Sequence, residues 1–369
     1  MKYKRMPIEI ESPEQIGYDT IECNLAESSV QDAVFGRLNL NLNHLVLGYG
    51  HHLGKLELRK LIALDHPPIK ADDVLITTGA ASALFMVATS LLTKKNHLIV
   101  VRPNYATNIE TPKAIGCEID YVDLAFENNF QLDTKLIKSL IKPNTAYISI
   151  TNPHNPTGTV ISKETLEELI SLVEKNNCFL LVDETYRDLT FTNQLPLAAS
   201  LSANVISVSS VSKAYGLPGI RIGWLITQNK KLQELFLAAK EQIFLCNSVV
   251  DEEIAFQYLR NKKEFLPVIQ LQIESNFKIL NSWINSQDVL EWVEPKAGVV
   301  CFPRIKQIYT IQLDLFYDIL CNKYKTLVGS GHWFEMDKRF MRIGYGWPNE
   351  EELKKGLRFI SLALHEAIL

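Results

Sequence analysis

From about residue 74 to residue 226 the chain alternates between short apolar runs and stretches of helical periodicity. Few architectures accommodate that pattern. The apolar runs are VLITT from Val74, HLIVV from His97, EIDYV from Glu118, AYISI from Ala146, FLLV from Phe179, VISVS from Val205 and WLIT from Trp224. They do not alternate with polar residues, so they read as strands buried on both faces. Between AYISI and FLLV, Ser162 is a candidate helix N-cap. Leu166, Leu169, Ile170 and Val173 follow it at i, i+3, i+4 and i+7, one apolar stripe for packing on a sheet. Repeated units of this kind predict an α/β fold built on a mostly parallel, seven-stranded sheet.

After about residue 230 the pattern changes. Residues 228–285 are rich in Leu, Lys, Glu and Gln and read as long helices. The tail from about residue 290 mixes short strands with a final helix from Glu350. The division expected is a large domain over 41–260, a small α+β domain over 261–369, and an irregular N-terminal segment over 1–40 that packs with the small one. There is no internal repeat and no low-complexity linker.

Bulk properties narrow the function classes. The 369 residues carry a net charge of −4, with 22% charged and 47% hydrophobic residues. That is ordinary soluble composition, without the basic footprint of a nucleic-acid-binding protein. The six cysteines are scattered with no CxxC pair and no HExxH, so no metal site is expected and the thiols read as reduced. The start, MKYKRMPIEIESPEQ, is charged throughout and lacks a signal peptide's apolar core. The longest apolar run, residues 80–92, is interrupted by Ser and Thr and is too short to span a bilayer. A cytoplasmic location with no membrane partner is expected.

In an open α/β sheet, ligands bind beyond the carboxyl ends of the strands. After VLITT comes Thr78-Gly79-Ala80-Ala81, small residues opening a helix whose N-terminus suits an anion. Later strands end in Tyr105 within RPNYATN, in Asn155 within NPHNPTG, and in Asp183, Glu184, Thr185 and Tyr186. VISVS runs into Ser209, Ser210, Val211, Ser212 and Lys213, with Gly216, Gly219 and Arg221 beyond. Taken singly these are a surface lysine, a cap, packing tyrosines and a turn. Their joint order at strand ends is what carries information.

With YGHHLGKLELR from Tyr49 and FMRIGYGWP around Arg342, those segments resemble the class I/II aminotransferases, the fold-type I enzymes that use pyridoxal 5′-phosphate (PLP). The lysine segment is the most specific: S-x-S-K, an arginine eight residues after the lysine, then Gly-Trp. The resemblance spans about Tyr49 to Arg342 and implies the aspartate aminotransferase-like fold. It implies that Lys213 forms the Schiff base and shuttles the Cα proton, and that Asp183 keeps the pyridine nitrogen protonated. Asn155 and Tyr186 would hydrogen-bond the phenolic oxygen, and Tyr105 would stack on the ring. Ala80, Ala81, Ser210 and Arg221 would form the phosphate cup. Arg342 would clamp the substrate α-carboxylate, with Asn155 beside it. Tyr49 would reach the phosphate of a partner subunit, which implies a homodimer with shared sites.

The sequence also departs from the family pattern. Where many members carry Gly-Glu-Pro, this chain reads NLAESSV from Asn24. Asn108 stands near the place of a second aromatic, and the segment GSGHWFEMDKRF from Gly329 differs from common members. His51, His52, His332 and Trp333 are candidate contacts for a substrate side chain. The expected activity is transfer of an amino group between an L-amino acid and a 2-oxo acid. Other PLP chemistry remains open: β-elimination by a C–S lyase, decarboxylation or cyclisation. A non-catalytic regulator domain is disfavoured, because the residues before Tyr49 are too few and too acidic for a winged helix. A nicotinamide-dependent dehydrogenase lacks its G-x-G-x-x-G.

Overall fold

The computed structural model describes residues 1–190 and 193–368. Seven strands form one sheet: Val74–Thr77 (β1), His97–Arg102 (β2), Glu118–Asp123 (β3), Thr145–Thr151 (β4), Phe179–Asp183 (β5), Val205–Ser210 (β6) and Gly223–Ile226 (β7). Their spatial order is β1-β7-β6-β5-β4-β2-β3. All neighbouring pairs are parallel except those of β7, which runs antiparallel to both β1 and β6. Each strand coincides with one of the seven apolar runs.

The reason those runs lack polar alternation is visible in the packing. Successive side chains of a strand point to opposite faces. Ile76, Ile99, Val101, Leu180 and Val182 join one apolar cluster, while Leu75, Leu98, Val100, Leu181 and Leu225 join another. Helix α1, Gly79–Leu91, covers the second face with Ala83, Leu84, Met86 and Val87. Helix α2, Lys163–Lys175, covers the first with Leu166, Leu169, Ile170 and Val173. Ser162 caps α2 by accepting a hydrogen bond from the Thr165 N–H at 3.1 Å. Leu169 is fully enclosed, so truncation to Ala would cost roughly 2–5 kcal/mol.

One expectation needs correction. Strand β3 is not buried on both faces. It is the sheet edge, and Glu118 and Asp123 are exposed. Its carboxylates are matched across the edge, where Lys142 Nζ reaches Glu118 at 2.9 Å and Asp120 at 2.6 Å. Charge along an edge strand blocks pairing with another chain.

Beyond β7 the chain is largely helical, and Lys262–Asn285 (α3) packs against the final helix, Glu350–Ala367 (α4). A small antiparallel sheet places Met341–Gly344 between Val300–Cys301 and Gly329–Ser330. The N-terminal residues join these C-terminal elements, Cys23–Asn24 pairing with Thr326–Leu327. The first apolar cluster continues from the central sheet into this region through Cys301, Phe302, Phe316, Ile343 and Leu357. No helix among the described residues is long and apolar enough to cross a membrane.

Candidate active site

The carboxyl ends of the parallel strands, the small antiparallel sheet and the N-terminal segment enclose a cavity of about 440 Å³. Ala80, Ala81, Tyr105, Asn155, Asp183, Tyr186, Ser210, Lys213, Arg221 and Arg342 all line it, as does Trp333. Tyr49 does not; its side chain is 90% exposed. His51, His52 and His332 are also off the cavity wall, with the His52 ring held by Glu241 at 2.5 Å and that of His332 by Glu11 at 3.0 Å.

At the end of β1, the first turn of α1 leaves backbone N–H groups without intrahelical partners, a site suited to an anion. Close packing there requires glycine. A Cβ on Gly79 would lie 2.5 Å from Arg221 Nη2, and one on Gly223 would lie 2.5 Å from the Gly79 carbonyl carbon. The two absent side chains let the guanidinium and β7 approach the helix start. Arg221 sits in the left-handed region (φ 50°) and donates from Nη1 to the Pro218 carbonyl at 2.8 Å. With the hydroxyl of Ser210, these groups offer a dianionic phosphate amide, hydroxyl and guanidinium donors.

Asp183 ends β5. Its Oδ1 accepts from the Thr185 N–H at 3.0 Å and from the Thr185 hydroxyl at 2.5 Å. Burial still raises its pKa, and those hydrogen bonds offset the rise only in part. A cationic ring nitrogen placed beside it would relieve that penalty. Among the described residues, neither the buried Tyr186 hydroxyl nor Arg342 Nε has a hydrogen-bond partner. Buried polar atoms are nearly always paired, so two orphans on one cavity wall indicate a polar ligand. The Tyr105 hydroxyl donates to Glu9 at 3.1 Å, and burial pushes its pKa up.

Arg342 is 4% exposed. Its Nη1 donates to Asn155 Oδ1 at 3.2 Å and its Nη2 to the Ala26 carbonyl at 2.7 Å. No carboxylate pairs with it among the described residues, and burial lowers its pKa. A buried guanidinium without a counter-ion is costly unless an anion completes it. The arrangement can therefore hold a phosphate at one end, a protonated heteroaromatic ring over Asp183, and a carboxylate at Arg342.

Reading strand ends misses the N-terminal side of this cavity. Glu9, Ser12, Pro13 and Glu14 line it, followed by Glu27 and Ser28. These come from two four-residue helical turns, Pro7–Ile10 and Pro13–Ile16, and from NLAESSV. For the two turns the only local signal was Pro at the start of each, at a position where helices accept it; NLAESSV stood out only as a departure from the family pattern.

Such a sheet, with a lysine, a buried aspartate and a donor-rich cradle able to hold an anion at its strand ends, defines a PLP enzyme of the aspartate aminotransferase-like fold. Residues 23–360 match the family described as aminotransferase class I and II, and the chain belongs to that family. PLP is accordingly its cofactor, and the orphaned Tyr186 hydroxyl and the two-glycine cradle fit that group. Capreomycidine synthase of Streptomyces vinaceus is 27% identical over 356 residues, covering 93% of this chain and 90% of its own. The crystal structure of a PLP-dependent aminotransferase from Streptococcus suis 89-1591 matches with a TM-score of 0.92 and 28% identity, covering 100% and 99% of the two chains. The PLP-dependent cyclase OrfR matches with a TM-score of 0.89 and 23% identity over 99% and 98%, which speaks for the fold alone.

Proposed function

We propose that this chain is an aminotransferase that moves an amino group between an L-amino acid and a 2-oxo acid, working in the cytoplasm as a homodimer. The observation that carries the reading is the convergence of Lys213, Asp183 and an unmatched, buried Arg342 on one cavity. When bound, PLP supplies an electron sink for the pair left behind by a broken Cα–H bond.

The chain's own residues do the rest. Lys213 Nζ anchors the cofactor and, once freed, takes the proton from the substrate Cα and returns it. The Asp183 carboxylate holds a proton on the pyridine nitrogen. With the cofactor bound, the Tyr186 hydroxyl and Asn155 would hydrogen-bond the phenolic oxygen, and the Tyr105 ring would offer its face to the pyridine. Ala80, Ala81, Ser210 and Arg221 grip the phosphate. Arg342 orients the substrate through its α-carboxylate, a planar bidentate task for a guanidinium. Tyr49 does not line its own cavity and is exposed, as are nearby Val46 and Leu47, which suits a role in a partner's phosphate site.

A second reading, a different PLP reaction such as cyclisation of an amino acid, is supported by the capreomycidine synthase relative. β-Elimination and decarboxylation belong to the same alternative. The test is visible absorbance of the holoenzyme as single amino acids are added. Conversion to the amino form of the cofactor, reversed by a 2-oxo acid, supports transamination. Release of ammonia, thiol or carbon dioxide without that reversal overturns it in favour of the second reading.

A further inference from the structure

The charges on the cavity wall do not balance once the cofactor and an α-carboxylate are assigned. Arg221 is matched by a phosphate, Arg342 by a carboxylate and Asp183 by a pyridine nitrogen, with Lys213 anchoring the cofactor. Three carboxylates remain: Glu9, Glu14 and Glu27, of which Glu27 also acts on Arg342 through space without pairing to it. Among the described residues, none of the three lies within 4.0 Å of a basic side chain. Their close contacts are neutral donors: Tyr105 to Glu9 at 3.1 Å and Tyr18 to Glu27 at 3.0 Å. Each carboxylate therefore keeps acceptor capacity unused. Glu9 and Glu27 are half-buried, where charge is screened less than at an open surface. The neighbouring Glu11 differs, because His332 and Trp333 already engage it.

All three come from the N-terminal segment, while the cofactor groups come from the strand ends. The same cavity holds further signs of a bound ligand, the orphaned Arg342 Nε and Tyr186 hydroxyl, which place its α-carboxylate end on the wall these carboxylates share. Resting on the proposed amino acid chemistry, we infer that the substrate carries a cationic side chain, a guanidinium or ammonium group, and that Glu9, Glu14 and Glu27 select it. A neutral side chain would leave three carboxylates facing an uncharged group, and an acidic one would be repelled.

Arginine and its neutral isostere citrulline provide the test, titrated separately into the holoenzyme with the cofactor's visible absorption as the readout. Arginine is expected to bind at least about tenfold more tightly than citrulline, the scale of one partly desolvated charge pair. The ratio is expected to fall toward one in a Glu14→Gln/Glu27→Gln variant and to recover in part in Glu14→Asp/Glu27→Asp. Citrulline binding as tightly as arginine in the native enzyme overturns the inference, whether or not the variants fold. So does an unchanged ratio in a folded Gln variant. A native preference for arginine without transfer of its amino group to any 2-oxo acid overturns only the transamination reading. No spectral response to any amino acid overturns both.

Discussion

Gly223→Ala tests the phosphate cradle through one methyl group. The added Cβ would meet the Gly79 carbonyl carbon at 2.5 Å, the Ala80 nitrogen at 2.7 Å and Gly79 Cα at 2.9 Å. Ordinary carbon contacts lie near ~3.5–4.0 Å, and every atom met is backbone, so no side chain can rotate away. Strand β7 or the first turn of α1 must move by about 1 Å, and overpacking of this kind costs about 1–3 kcal/mol. The displaced turn carries the amides proposed to hold the phosphate, so much of that cost should appear in cofactor affinity. A loss of about tenfold or more in PLP binding is expected. Equilibrium titration of the apoenzyme with PLP, followed by visible absorbance, measures it. Gly219→Ala is the control: nothing lies within 4 Å of its added Cβ. If Gly223→Ala binds PLP within about twofold of the native protein, the close approach of β7 to the helix start is not what shapes the site.

Three further outcomes are expected. Asp183→Asn should lower turnover by about a hundredfold or more while still binding PLP. Because burial raises the Asp183 pKa, removing that charge should also leave the apoenzyme at neutral pH no less stable to heat; a clear drop in melting temperature would contradict the desolvation argument. Arg342→Lys should raise KM for the amino acid by about tenfold, with a smaller effect on kcat, because an ammonium cannot make the bidentate contact. Unaltered steady-state kinetics would remove Arg342 from the substrate site. His154 bears on acid stability. Its Nε2 donates to the Pro103 carbonyl at 2.8 Å, Nδ1 contacts the Thr157 hydroxyl at 2.7 Å, and burial pushes its pKa down to about 4. A base with a depressed folded pKa contributes stability that is present above its ordinary value near ~6.5 and is lost as pH falls toward about 4. That window is worth about 3 kcal/mol, and urea midpoints for His154→Gln should fall less steeply across it than those of the native protein.

The parallel between sequence and structure is close where both sheet faces are covered. There, strand residues are apolar regardless of which way they point, and six of the seven runs show it. Strand β3 was the exception. Its Glu118, Asp120 and Asp123 already marked an exposed edge, but Ile119, Tyr121 and Val122 let it pass as apolar. Strand direction left no trace in periodicity. The connection from Ser210 to Gly223 nonetheless holds only the short helical turn Pro218–Ile220, not the longer crossover helix that usually joins a parallel pair. Nine of the eleven residues assigned to the site came together because they lie at or beyond strand ends of the central sheet, and Arg342 reaches it from the small antiparallel sheet; Tyr49 lies apart. Glu9 and Glu14 were illegible, and Glu27 lay in NLAESSV, which marked a departure from the family pattern without naming its role. They reach the cavity only through long-range contacts, such as that between Glu9 and Tyr105, and their own stretch has no repeating pattern.

The central claim is that Lys213 carries the cofactor. Borohydride reduction of the holoenzyme, followed by digestion and mass spectrometry of the peptides, tests it directly. The pyridoxyl group is expected on Lys213, in the peptide containing SVSKAYG. A stoichiometric label on any other lysine, with Lys213 unmodified, would contradict it.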